Sequence, residues 1–147
     1  MRRLFYILLL LYIQILFSQE NSPNIILMIG DGMGLSQITT GMYANGNKTS
    51  LERFDYIGLS KTHSLDYLVT DSAASGTAMA SGVKTLNRTV GIDENNNKQK
   101  SILEICKEKN YNVGLVVTSE IVHATPACFY ANVPSRYDYE DIALQLS

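Results

Sequence analysis

The sequence predicts an α/β fold whose sheet is mostly parallel. Residues 24–29 and 113–118 are continuous apolar runs without polar alternation, a pattern typical of strands that are covered on both faces. Apolar residues within 102–106 fall on one side of a predicted helix that precedes the second run. The order of strand, helix and strand is that of an α/β sheet.

Shorter elements are predicted between the first apolar run and the middle of the chain. They are a helix at residues 36–44, a turn at 45–48, a helical turn at 51–54 and a short strand at 57–64. Residues 71–81 are almost all small, which predicts a helix that packs very close to its neighbours. Either Asp71 or Ser72 is expected to be its N-cap.

The second half of the chain continues the pattern. A polar loop is predicted at residues 92–97, the amphipathic helix after it is expected to end at Asn110, and Pro126 is expected to open a short helix. A last helix is predicted at residues 139–146, and the chain stops inside it. We therefore expect residues 19–147 to be a portion of a larger domain.

The first 18 residues are predicted to be a cleaved secretory signal peptide. Two arginines follow Met1 and lead into residues 4–17, where Gln14 is the one strongly polar residue. The run is shorter than the about 20 apolar residues that a membrane-spanning helix needs, and a retained membrane anchor is the alternative. The expected location of the protein is therefore exported, either periplasmic or secreted.

The charge of the chain argues against a nucleic-acid-binding protein. Loss of Arg2 and Arg3 with the signal peptide lowers the basic count from 12 to 10, against 14 acidic residues, for a net charge of −4. The lysines within residues 98–109 alternate with glutamates, which is typical of a solvated helix face. We expect no binding to nucleic acid.

The two cysteines are predicted to be buried free thiols. Cys106 lies in the amphipathic helix and Cys128 in a different segment. Nothing in the sequence brings the two side chains together, so no disulfide is expected between them.

A candidate metal ligand follows the first predicted strand. Asp31 lies between Gly30 and Gly32, which let the backbone turn sharply and leave the carboxylate at the carboxyl edge of the sheet. A carboxylate there suits a hard divalent cation. An aspartate that only caps a helix or stabilises the turn is the alternative.

Ser72 is a candidate nucleophile. Its hydroxyl lies at the start of the predicted helix, where the positive end of the helix dipole would stabilise a phosphate or an alkoxide. The surrounding residues do not match the Gly-x-Ser-x-Gly turn of the α/β hydrolases, so a metal ion would have to activate the serine. A serine that only caps the helix is the alternative.

Three further candidates follow the second predicted strand, and the first two, His123 and Thr125, are expected to return to the sheet edge of Asp31. His123 and Thr125 offer an imidazole and a hydroxyl to a metal site. Arg136 offers a planar guanidinium, which suits a tetrahedral oxyanion such as phosphate. Each signal is weak alone, because a lone histidine is usually structural and a lone arginine is usually solvated.

Taken together, these segments resemble the alkaline phosphatases. The matching blocks are residues 29–34, 70–78, 81–85 and 123–127, followed by Arg136. The resemblance implies a three-layer sandwich with a mostly parallel central sheet. It also implies a phosphomonoesterase with two zinc ions and one magnesium ion, which hydrolyses small-molecule phosphate monoesters through a phosphorylated serine.

The resemblance implies a role for each candidate residue. Ser72 would be the nucleophile and a metal ligand, and Arg136 would bind two phosphate oxygens while Asp71 orients it. Asp31 would bridge a zinc and the magnesium site, and Thr125 would reach magnesium.

The resemblance leaves the metal set incomplete. His123 stands where some bacterial members carry aspartate, and a nitrogen ligand would lower the preference of the third site for magnesium relative to zinc or cobalt. The family takes most zinc ligands from a C-terminal half, whereas the histidines of this chain are His63 and His123. We therefore expect the remaining zinc ligands beyond residue 147, and little activity from these residues alone.

Two other classes of protein stay open at this point. A sulfatase or phosphodiesterase relative shares a metal-binding aspartate after the first strand, although residues 71–74 together with Arg136 favour a monoesterase. A truncated, non-catalytic exported protein is the other class. The sequence also leaves the oligomeric state of the full-length protein open, with a homodimer among the alternatives.

Overall fold

The computed structural model of the protein describes residues 23–146. In this range the helices are α1 Leu35–Ala44, a 3-10 helix Ser50–Arg53, α2 Ser72–Ser81, α3 Ile102–Glu108, α4 Ala124–Ala127 and α5 Tyr139–Leu144. Within the described residues, every helix falls short of the length and apolarity that crossing a membrane requires. The predicted signal peptide, residues 1–18, lies outside the described residues.

The predicted helix of small residues is confirmed as α2. Asp71 is its N-cap, because the Oδ1 of Asp71 accepts a hydrogen bond from the backbone N–H of Ala74 at 2.9 Å. Ser72 is therefore the first helical residue. The helix ends at Gly82, whose φ of 76° lies in the left-handed region that glycine adopts at low cost.

The other helix predictions are confirmed with small shifts at the ends. α3 begins after Ser101, which forms a reciprocal capping box with Glu104. Asn110, the predicted end of that helix, has a φ of 63° and follows the last helical turn. Pro126 is the third residue of α4 rather than its first, and α5 ends at Leu144 rather than at residue 146.

The predicted parallel sheet is not assembled among residues 23–146. The structure assigns no strand to the three predicted segments, residues 24–29, 57–64 and 113–118. A strand needs a neighbouring segment to pair with its backbone N–H and C=O groups, and among the described residues no backbone–backbone hydrogen bond joins these runs to another segment. Their apolar side chains are largely exposed, with Ile26 at 85%. The strand predictions are therefore not met in the described part of the chain.

The core lies around the contact between α2 and α4, next to an isolated antiparallel bridge between Val90 and Val133. The contact is close because α2 has no side chain at Gly76, where a Cβ would lie 3.0 Å from the Sγ of Cys128. The prediction that this helix packs very close to a neighbour is thus confirmed. The buried residues that form this core cluster are Ala73, Ala80, Val90, Ala124, Ala127, Cys128, Phe129, Ala131, Val133 and Ile142.

Polar contacts complete the packing beside Gly76. The buried hydroxyl of Thr77 accepts a hydrogen bond from the backbone N–H of Gly91 at 2.9 Å. The Sγ of Cys128 donates to the carbonyl of Ala73 at 3.2 Å, and burial raises the pKa of the Cys128 thiol to about 11. Both cysteines are free, as predicted, but Cys106 is only half-buried.

Candidate active site

Ser72 and Arg136 meet at the N-terminus of α2. The Nη1 of Arg136 donates a hydrogen bond to the Oγ of Ser72 at 2.8 Å, across 64 positions in the chain. Ser72 is half-buried as the first residue of a helix of 10 residues, whose N-terminus carries a partial positive charge. A hydroxyl, a guanidinium and the positive end of a helix dipole therefore share one place, where an oxyanion would be stabilised.

Asp71 connects the guanidinium to the helix. Its Oδ2 accepts a hydrogen bond from the Nη1 of Arg136 at 3.2 Å, and the two side chains are 23% and 26% exposed. Partial burial makes such an ion pair stronger than one on the open surface. The other carboxylate oxygen of Asp71 caps α2, so one side chain fixes both the start of the helix and the position of Arg136.

Asp31 and Thr125 also lie in direct contact. The Oγ1 of Thr125 donates to the Oδ2 of Asp31 at 2.6 Å, across 94 positions in the chain. Asp31 lies in a turn that includes Gly32 with a φ of 68°, and Thr125 lies in α4. The two residues meet as the sequence predicts, although the sheet edge expected to bring them together is not formed in the described residues.

The chemistry of this pair fits part of a magnesium site. The Asp31 carboxylate is exposed and the Thr125 hydroxyl is half-buried, and both are the hard oxygen donors that magnesium prefers. Within residues 23–146, no group of three or more His, Cys, Asp or Glu side chains is placed to hold a metal ion. Asp31 and Thr125 thus supply two oxygen donors that fit part of a magnesium site.

The side chain of His123 contacts Glu120. Its Nε2 lies 3.4 Å from the Oε2 of Glu120, and the histidine side chain is 47% exposed. His123 is also the residue that precedes α4, one position before Ala124 and two before Thr125. The backbone therefore brings His123 close to the candidate magnesium ligand, while the imidazole pairs with a glutamate.

Sequence reasoning missed two residues that contact Asp71. The backbone N–H of Asp71 donates to the Oδ1 of Asn87 at 2.9 Å, and the backbone N–H of Arg88 donates to the Oδ2 of Asp71 at 3.0 Å. Both residues lie in a turn without regular hydrophobic spacing, so no periodic pattern indicates them. The contact of Glu120 with His123 was missed for the same reason.

Comparison with known proteins matches one family over most of the chain. Residues 22–147 match the alkaline phosphatase family. Alkaline phosphatase 4 of Bacillus subtilis (strain 168) is 48% identical over 129 residues, which are 82% of this chain and 28% of that protein. The chain spans less than a third of the length of the curated relatives that it matches.

Solved structures give the same result. The alkaline phosphatase from the Antarctic bacterium TAB5 matches with a TM-score of 0.80 and 43% identity, over 84% of this chain and 36% of that one. A variant of the TAB5 enzyme in which a histidine is replaced by aspartate has magnesium bound in its M3 site, and it matches equally well. The match to these neighbours implies the α/β fold of the alkaline phosphatases, of which no sheet is assembled among residues 23–146. This chain belongs to the alkaline phosphatase family.

Proposed function

We propose that this chain is the N-terminal part of an exported alkaline phosphatase, which hydrolyses small-molecule phosphate monoesters through a phosphoserine at Ser72. The observation that carries the proposal is the 2.8 Å contact between the Nη1 of Arg136 and the Oγ of Ser72 at the N-terminus of α2. The contact places a cation that suits a tetrahedral oxyanion beside the hydroxyl that would attack phosphorus. Family membership supports hydrolysis of phosphate esters.

The reaction follows from the position of Ser72. Its Oγ attacks phosphorus, so that the bond from Ser72 oxygen to phosphorus forms while the bond from phosphorus to the alcohol oxygen breaks and the alcohol leaves. Water then attacks the phosphoserine, releases inorganic phosphate and restores the hydroxyl. Zinc bound beside Ser72 would lower the pKa of this hydroxyl and so favour the alkoxide, which is the stronger nucleophile.

Arg136 holds the phosphate during both steps. Its bonds to Asp71 and Ser72 both come from Nη1, so the guanidinium keeps further N–H donors for two phosphate oxygens. Asp71 keeps the guanidinium beside Ser72, and the first turn of α2 adds the positive end of its dipole. The oxyanion is thus bound by groups that are already in position.

We assign the metal ligands of this chain from the family resemblance, and the contact between Asp31 and Thr125 supports two of them. Asp31, Thr125 and His123 would hold a third metal, magnesium or another ion, and Asp31 and Ser72 would contribute to two zinc ions. Magnesium in the M3 site of the TAB5 variant supports magnesium as one of the metals. The other zinc ligands would come from outside these residues.

In the full-length protein, we propose the three-layer sandwich with a mostly parallel central sheet. Residues 24–29 and 113–118 would be two of its strands, because most of their apolar side chains are exposed among the described residues. Pairing with further strands would bury them. A homodimer is one assembly that such a protein could form.

The test of the proposed function compares three ester classes. The full-length protein, loaded with zinc and magnesium, is supplied with 4-nitrophenyl phosphate, a bis(4-nitrophenyl) phosphate diester and 4-nitrophenyl sulfate. We expect the monoester to have the highest kcat/KM. Preference for the sulfate or the diester would instead assign the chain to another branch of the superfamily.

Replacing Arg136 by alanine is expected to weaken phosphate binding while some activity survives. Loss of charged hydrogen bonds should raise the inhibition constant of inorganic phosphate on the order of tenfold to a hundredfold, and slow turnover. The N-terminus of α2 and the bound metals would still stabilise the transition state. Phosphate inhibition of monoester hydrolysis measures the effect, with Arg53→Ala, an exposed arginine of the 3-10 helix, as the control. Complete loss of turnover with the metals still bound would contradict this role.

Replacing His123 by aspartate is expected to shift the activating ion towards magnesium. A carboxylate would replace an imidazole in a site that favours oxygen ligands. Activation profiles with magnesium, cobalt and zinc measure the shift, and His63→Asp changes the other histidine as a control. Unchanged profiles for His123→Asp would mean that His123 acts only through its pairing with Glu120.

A further inference from the structure

The turn at Asn87 and Arg88 contacts both members of the ion pair that faces Ser72. The Oδ1 of Asn87 accepts from the backbone N–H of Asp71 at 2.9 Å, and the backbone N–H of Arg88 donates to the Oδ2 of Asp71 at 3.0 Å. The carbonyl of Arg88 accepts from the backbone N–H of Arg136 at 2.7 Å. Two adjacent residues thus bind Asp71 at its backbone and its carboxylate, and bind Arg136 at its backbone.

The same turn is anchored on its other side. The backbone N–H of Asn87 donates to the Oδ1 of Asp66 at 3.0 Å, and the side-chain amide of Asn87 donates to the carbonyl of Val69 at 3.1 Å. Asp66 in turn accepts from the hydroxyl of Ser64, which is 4% exposed. The turn is therefore held by a segment that contains neither Ser72 nor Arg136.

Arg88 adopts an unfavourable backbone conformation at this point. Its φ is 71°, in the left-handed region that residues with a Cβ rarely occupy. Such strain persists when the surroundings determine the conformation. Here the surroundings are Asp71 and Arg136, which bond to the N–H and the C=O of Arg88.

We infer that Asn87 and Arg88 are positioning residues, which set the guanidinium of Arg136 relative to the Oγ of Ser72. They act through the carboxylate of Asp71 and through the backbone of Arg136, without touching the phosphate. This inference rests on the proposed function, since it assigns phosphate binding to Arg136.

The test measures the affinity for inorganic phosphate by calorimetry, in the full-length protein loaded with zinc and magnesium. Asn87→Ala removes the acceptor of the Asp71 N–H and should weaken phosphate binding roughly tenfold, because a small displacement of a positioned group is costly. The KM for a phosphate monoester should rise with it, while kcat changes less.

A double-mutant cycle distinguishes positioning from a general loss of structure. In an Arg136→Ala background, Asn87→Ala should have no further effect on phosphate affinity, because the residue it positions is gone. Asn97→Ala is the matched control, since Asn97 is a turn asparagine that bonds to Asp93 rather than to Asp71. An equal loss of affinity from Asn87→Ala in both backgrounds would overturn the inference, as would wild-type affinity in the single variant.

The results for Asn87→Ala and Arg136→Ala distinguish a failure of this inference from a failure of the proposed function. If Arg136→Ala weakens phosphate binding and Asn87→Ala does not, the positioning role is wrong and the proposed function stands. If Arg136→Ala leaves phosphate affinity unchanged, the assignment of Arg136 to phosphate is wrong, and the positioning role falls with it.

Discussion

Ser72→Ala in the full-length, metal-loaded protein is expected to abolish the covalent phosphoenzyme. Phosphoryl transfer passes through the Oγ of Ser72, which accepts a hydrogen bond from Arg136 at 2.8 Å, and alanine has no oxygen to attack phosphorus. Turnover should fall on the order of a thousandfold or more, since removing a nucleophile leaves only binding and electrostatic stabilisation. Quenching at acid pH after reaction with a labelled phosphate monoester measures the phosphoenzyme.

A serine on the same helix provides the control for this experiment. Ser81 is the last residue of α2, and its hydroxyl donates to the carbonyl of Thr77 at 2.8 Å, away from Arg136. Ser81→Ala should therefore retain the label. Wild-type labelling of Ser72→Ala would disprove the assignment of the nucleophile.

Residues 19–147, produced alone, are expected neither to unfold cooperatively nor to hydrolyse phosphate esters faster than free zinc in buffer. Apolar side chains of the predicted strands are exposed, among them Ile26 at 85% and Met28 at 84%, which favours aggregation. The chain also contains only two histidines, too few for two tightly held zinc ions. Thermal unfolding, binding of a hydrophobic dye and a chromogenic phosphate monoester measure these properties.

The full-length protein is the control, and it should unfold cooperatively with less dye bound. A cooperative transition in residues 19–147, together with hydrolysis that Ser72→Ala removes, would contradict the prediction. That result would mean that a working site assembles from these residues, for example between two chains.

The helices could be predicted from the sequence because their signals are local. The N-caps Asp71 and Ser101 bond to residues three positions ahead, and Gly82 ends α2 by its own conformation. A capping interaction needs only a few consecutive residues, so it is visible in one segment. The choice between Asp71 and Ser72 as the cap was decided only by the hydrogen bond to Ala74.

Strand formation depends on pairing with a second segment, which the sequence of one segment does not specify. Residues 24–29 have the composition of a buried strand, but pairing requires a second segment in register, and none is assembled among residues 23–146. Asp31 and Thr125 were grouped by their order after the two apolar runs, and they do meet at 2.6 Å. The turn at Asn87 and Arg88 could not be predicted, because its contacts join residues far apart in the chain and Arg88 makes them through its backbone N–H and C=O.

The burial of Cys128 has a chemical consequence for a protein that we propose to be exported. Thiol–disulfide exchange proceeds through the thiolate, and burial raises the pKa of this thiol to about 11. At pH 8 only about one such thiol in a thousand is ionised, and the close contact with Gly76 leaves little room for an incoming sulfur. An oxidising environment would therefore leave Cys128 reduced, and the chain can keep a free cysteine in its core without forming mixed disulfides.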